Sequence, residues 1–161
     1  MTTQALIESI HLDGAAFDGE WRALANRQVA MEPATGKTLG QVGMASPEDI
    51  RAAAGKARTA QIAWAATGYE QRARIMRRAA DLAEQHRAEI VQWLVRESGS
   101  TPVKADFEVS ITIKSMVEAA AMPSQAAGLV LPAEAGRLNL ARRRPIGVVG
   151  VIAPFNFPLY L

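Results

Sequence analysis

The sequence predicts an α/β fold with an uneven share of helices. Two observations predict it. Three segments in the middle of the 161-residue chain repeat their apolar residues at helical spacing. Short strand-like runs flank them, punctuated by glycine and proline. Hydrophobic residues make up 49% and charged residues 21%, proportions that suit a globular domain with its own core.

The elements follow in order. "HLDGAAFDGEW" alternates loosely around Gly14 and Gly19 and predicts a short hairpin held by Leu12, Phe17 and Trp21. In "EPATGKTLGQVGMAS", Pro33, Gly36 and Gly40 mark turns, while Leu39 and Val42 predict a short edge strand. "SPEDIRAAAGKARTAQIAWAA" predicts a helix. Ser46 suits its N-cap, Pro47 its first position, and Glu48 and Asp49 its positive end. Ile50, Ala54, Ala57 and Trp64 form its stripe, and Trp64 and Trp93 are expected in the core. Gly68 separates it from one long helix running from near Tyr69 to Gly99, with Ile75, Ala79, Leu82, His86 and Ile90 along one face. A third helix begins at Pro102, continues to about Ala121, and stops at Pro123. It offers two candidate stripes, one with Phe107 and Ile111, the other with Val109, Ile113, Met116 and Val117. From Gly128 onward strand-like runs are broken by Pro132, Gly136 and Pro145.

Composition excludes several functions. A net charge of +2 is poor ground for a nucleic-acid partner, despite a pI near 9.3. No run of 18 apolar residues predicts a membrane span. The N-terminus has no basic segment followed by an apolar one, so no signal peptide is expected and the cytoplasm is the default location. Without cysteine the chain holds no disulfide, thiolate metal site or cysteine nucleophile. His11 and His86 lie far apart, and no metal site is expected.

The motifs each carry two readings. "ATGKT" looks like the end of a phosphate loop, but Met31 stands where the pattern needs glycine; a turn joining two edge strands explains it better. "GVVG" has the wrong spacing for a dinucleotide fingerprint and reads as buried strand. "RRR" at 142–144 reads as a solvated edge, with a subunit contact as the main competitor. His86 reads as a helix-face histidine with a hydrogen-bonded partner, against ligation or proton transfer.

Asn156 stands apart. It is the single amide in the apolar run "PIGVVGVIAPFNFPLYL", which is expected to be a buried strand. Its side chain either bonds nearby backbone and fixes the turn, or points into a site at the strand's carboxyl end. There an amide donor stabilises an oxyanion by about 2.7–4 kcal/mol of barrier.

"PIGVVGVIAPFNFPL" closely resembles the oxyanion-asparagine segment of the aldehyde dehydrogenase superfamily, which commonly reads P-x-G-V-x-x-x-I-x-P-W-N-F-P. "EPATGKTLGQVGMASPEDI", "AWAATGYEQRARIMRRAADLAEQHRAEI" and "RESGS" are similar to earlier family segments, in order and spacing. The finer resemblance is to the benzaldehyde and vanillin dehydrogenase branch.

The resemblance implies the N-terminal part of that fold. Residues 1–126 would be the helix-rich portion of the cofactor-binding domain, 127–145 a β oligomerisation arm, and 146–161 the first strand of the cofactor cleft. It implies oxidation of an aldehyde, aromatic by preference, through a cysteine thioester, with NAD or NADP as acceptor. Asn156 would hold the oxyanion. Ile152, Ala153, Pro154 and Phe155 would line the nicotinamide side, with Phe155 in place of the usual Trp. A homo-oligomer, dimer or tetramer, would form through the arm. The family's nucleophile and base lie beyond Leu161, so the chain alone is expected to be inactive and to leave apolar surface bare. The competing reading is a non-catalytic paralogue, a folded module that binds intact subunits.

Overall fold

The structure, a computed structural model, describes residues 13–161. Strands β1 (Ala15–Phe17) and β2 (Trp21–Ala23) pair as an antiparallel hairpin, with Phe17 opposite Trp21. Their ring centroids lie 5.2 Å apart at an interplanar angle of 60°, a tilted contact that aromatic quadrupoles favour. Leu12, the third residue expected there, lies outside the described residues, as does His11. Strands β3 (Asn26–Met31) and β4 (Thr38–Met44) form a second antiparallel hairpin. "ATGKT" lies in its turn, where the Gly36 N–H donates to the Glu32 carbonyl at 2.8 Å. The two hairpins meet where the Gly14 N–H donates to the Gln41 carbonyl at 3.0 Å. A Cβ on Gly43 would stand 2.8 Å from the Gly14 oxygen, so this close approach needs glycine.

Helix α1 (Pro47–Ala66) starts as its sequence dictates. The Asp49 N–H donates to Ser46 Oγ at 3.1 Å, and the Ser46 N–H donates back to the Asp49 carboxylate at 2.8 Å. This reciprocal box satisfies two otherwise orphaned donors. None of its residues is buried, however. Trp64 is 44% exposed, which corrects its expected place in the core. No described element packs closely along the stripe. Ion pairs hold the helix instead: Arg22 Nη1 to Asp49 at 2.9 Å, and Lys56 Nζ to Asp18 at 2.8 Å.

The long helix expected from Tyr69 to Gly99 is two, α2 (Tyr69–Gln85) and α3 (Arg87–Ser98). His86 between them takes φ −103° and ψ 16°, outside the helical region. The guanidinium of Arg87 fixes this junction, donating to Glu84 at 2.8 Å, Asp106 at 2.9 Å and Ser110 at 3.0 Å. Gly99 ends α3 with φ +67°, a left-handed conformation that costs glycine little.

Helix α4 (Pro102–Ala121) is capped by Thr101 and followed by a 3₁₀ turn, Met122–Ser124, at Pro123. It is the centre of the core. Val109 and Ala105 pack with Leu94, and Ile90, Val91, Val95 and Ile113 surround them. Ala73, Ala80 and Ala120 are buried where α2 and α4 pack against each other, their small side chains permitting a close approach. Of the two candidate stripes, Val109 and Ile113 of the second face inward, whereas its Val117 is 52% exposed and Phe107 of the first 56% exposed.

Strands β5 (Gly128–Leu131) and β6 (Asn139–Arg142) form a third antiparallel hairpin, exposed along its whole length. The described residues thus contain three two-stranded sheets. The buried strand expected over 145–161 does not form, and "GVVG" within it is not buried strand. The reason is physical: a strand needs a neighbour to pair its N–H and C=O groups, and no described strand lies beside this run. Its apolar side chains are bare, as expected for a segment lacking its sheet. Among the described residues no helix is long and apolar enough to cross a membrane.

Candidate active site

Asn156 sits on an exposed turn. The Phe157 N–H donates to the Pro154 carbonyl at 3.2 Å, and the Leu161 N–H to the Phe157 carbonyl at 3.2 Å. These backbone bonds close the turn locally. Among the described residues none hydrogen-bonds the Asn156 side chain, so the turn-fixing reading has no bond behind it and the amide is open to a ligand. Immediately before it, Ile152 is 99% and Phe155 88% exposed, with Ala153 and Pro154 exposed between them. The structure therefore places all five expected site residues on one bare, mostly apolar strip.

The segment just after this strip is anchored by a residue that sequence reasoning missed. Glu108 on α4 is fully buried. Its Oε1 accepts from the Leu159 N–H at 2.8 Å and the Tyr160 N–H at 3.3 Å. Its Oε2 pairs with Lys104 Nζ one turn earlier on α4. The Lys104 ammonium also lies 4.6 Å from the centroid of the Phe157 ring, a cation–π contact. Phe157 in turn meets Tyr160 edge-on, with centroids 5.7 Å apart. A signal was present: Glu108 lies at helical spacing with Ala105, Val109 and Thr112, a lone carboxylate on an inward face.

The other motifs lie elsewhere. Val148 of "GVVG" rests beside α1, where it, Ala57, Ala60, Gln61 and Trp64 line an open groove of about 590 Å³. Arg142, Arg143 and Arg144 are exposed at the end of β6. His86 Nδ1 lies 3.3 Å from Glu89 Oε2, the partnered helix-face arrangement expected of it.

Helices clustered on α4, small antiparallel hairpins, and an amide on an apolar turn define the class. The chain belongs to the aldehyde dehydrogenase family, whose sequence profile matches residues 21–161. Its fold is the N-terminal part of the fold of that family.

Among its relatives is a vanillin dehydrogenase from Amycolatopsis, 57% identical over 149 residues, which are 92% of this chain and 31% of that one. A benzaldehyde dehydrogenase [NAD(+)] from Pseudomonas putida is 41% identical over 150 residues, with the same two coverages. The crystal structure of a NAD-dependent benzaldehyde dehydrogenase from Corynebacterium glutamicum superimposes with a TM-score of 0.87 at 37% identity, covering 98% of this chain and 34% of that one. The chain thus spans 31% of the length of these two curated relatives.

Proposed function

We propose that this chain supplies the oxyanion donor and one wall of the cofactor cleft of an aldehyde dehydrogenase acting on aromatic aldehydes. The observation that carries the reading is the free Asn156 amide beside the bare strip 152–155. Similarity to vanillin and benzaldehyde dehydrogenases supports the aromatic substrate.

The residues fit a nicotinamide cofactor. Ile152, Ala153, Pro154 and Phe155 offer exposed side chains without a charge, suited to the face of a planar ring. NAD or NADP, when bound, accepts the hydride removed from the aldehyde carbon. The chain's own contribution is electrostatic and steric. The Asn156 Nδ2–H donates to the carbonyl oxygen as it gains charge, a donor worth about 2.7–4 kcal/mol of barrier. The apolar side chains before it exclude water, which raises the value of that bond. The nucleophilic thiolate must come from outside, since the chain has no cysteine.

Residues 1–126 are then the helix-rich part of the cofactor-binding domain, 127–145 the arm and 146–161 the cleft segment. The exposure of both strands of the β5–β6 hairpin favours its role as an arm between like subunits in a dimer or tetramer. The same exposure would serve a non-catalytic module that binds intact subunits.

Two measurements test the reading. The 161-residue chain, given NAD or NADP and a panel of aldehydes, should show no turnover; turnover above background overturns the assignment. Joined in frame to the remainder of the Amycolatopsis vanillin dehydrogenase, the chain should restore a complete enzyme. There Asn156→Ala should lower kcat by about a hundredfold or more. An unchanged kcat overturns the donor role.

A further inference from the structure

A fully buried carboxylate must have its oxygens satisfied, because an unpaired buried charge is strongly disfavoured. Glu108 meets that demand with two kinds of partner. One is Lys104 on its own helix. The other is the pair of backbone N–H groups at Leu159 and Tyr160, 51 and 52 residues away in sequence. Those amides lie three and four positions after Asn156. A carboxylate that accepts backbone N–H bonds in a dry site makes strong, directional contacts. Lys104 adds a hold on Phe157, the residue next to Asn156. Among the described residues, helix α4 buries more of its residues than any other helix. The turn bearing the amide, whose preceding strip is bare, is therefore gripped from behind by the rigid core.

We propose that Glu108 is a positioning residue: its carboxylate, bonded to the amides of Leu159 and Tyr160, holds the turn that aims Asn156. The proposal rests on the donor role of Asn156 given above. It assigns Glu108 no contact with substrate or cofactor. Preorganisation is the physical reason it should matter, since misplacing a reacting group by about 1 Å costs about a hundredfold in rate.

The test uses the complete enzyme formed by joining this chain to the remainder of the vanillin dehydrogenase. Glu108→Ala should lower kcat at least tenfold and change KM by less than about threefold. Glu108→Gln, which keeps an oxygen acceptor for the two amides, should recover much of that loss. The decisive variant is Glu108→Ala with Asn156→Ala. If Glu108 acts through Asn156, the double variant is no slower than Asn156→Ala alone. Should the alanine variant fail to fold, Glu108→Met takes its place, filling the space without an acceptor. A silent Glu108→Ala overturns the proposal. So does a double variant whose losses multiply, or a Gln variant as slow as Ala. A silent Asn156→Ala instead overturns the donor reading beneath it. A strong Asn156→Ala beside a silent Glu108→Ala removes the positioning role alone.

Discussion

Val109→Ala measures how firmly the core behind the site is packed. Val109 is 0% exposed and lies against Leu94 and Ala105, one position after Glu108. The substitution removes two buried carbons, about 0.8 kcal/mol each and so about 1.6 kcal/mol in transfer free energy. Incomplete collapse adds about 24 cal/mol per Å³ of void, so about 30 Å³ left open adds about 0.7 kcal/mol. The expected loss is about 2 kcal/mol. Urea unfolding followed by circular dichroism reads this directly. With a slope of about 2 kcal/mol per M, the midpoint should fall by about 1 M. Val103→Ala on the same helix is the control, because Val103 is 82% exposed; it should cost less than about 0.5 kcal/mol. Equal midpoint shifts for the two variants would refute the inward assignment of the Val109 face.

Other outcomes follow from the same geometry. Ser46→Ala should destabilise by about 1 kcal/mol through the lost capping box, read by urea unfolding; Ser46→Gly should cost only a few tenths. Ile50→Gln should change the stability of the isolated chain by less than about 0.5 kcal/mol, because Ile50 is 62% exposed; a larger loss would show that the stripe is packed. Acid should loosen the contacts of β2 and α1. The Asp49 carboxyl is held below its usual range by the Ser46 N–H, then the Ser46 hydroxyl and Arg22, and Asp18 by Lys56 and then Arg22. Glu32 is held down by Arg96 and then Thr35. A depressed folded pKa means the stabilisation is present above the unfolded value, about 4, and is lost as pH falls through the folded one. Trp21 fluorescence should therefore change below about pH 4 and not between pH 6 and 8. Because the cation of each pair, Arg22, Lys56 or Arg96, stays partly exposed to solvent, 1 M salt should shift the same signal in the same direction.

Much of the fold was legible locally. Helix starts are set by short-range bonds among residues three or four apart, so Ser46, Pro47 and Pro102 announce them in the sequence, and the structure adds Thr101 as the cap before Pro102. The turn at Gly36 and the stop at Gly99 depend on local backbone freedom, and both were readable. The break at His86 was not, because Arg87 sets it by reaching Asp106 and Ser110 on another helix. The inward face of α4 was ambiguous for a related reason. Phe107 and Val109 are both apolar, and only the arrival of α2 and α3 chooses between them.

The site divides in the same way. By itself the sequence determined the local chemistry: a lone amide, Asn156, on a proline-bounded turn after an uncharged strip, and the helix N-termini at Pro47 and Pro102. These depend on neighbours within a few positions. Only the tertiary structure decided that the strip lies bare, because strand formation needs a partner that residues nearby in sequence do not supply. It alone revealed Glu108, since a bond across 51 residues is created when the core packs and leaves no local trace beyond one carboxylate on an apolar face.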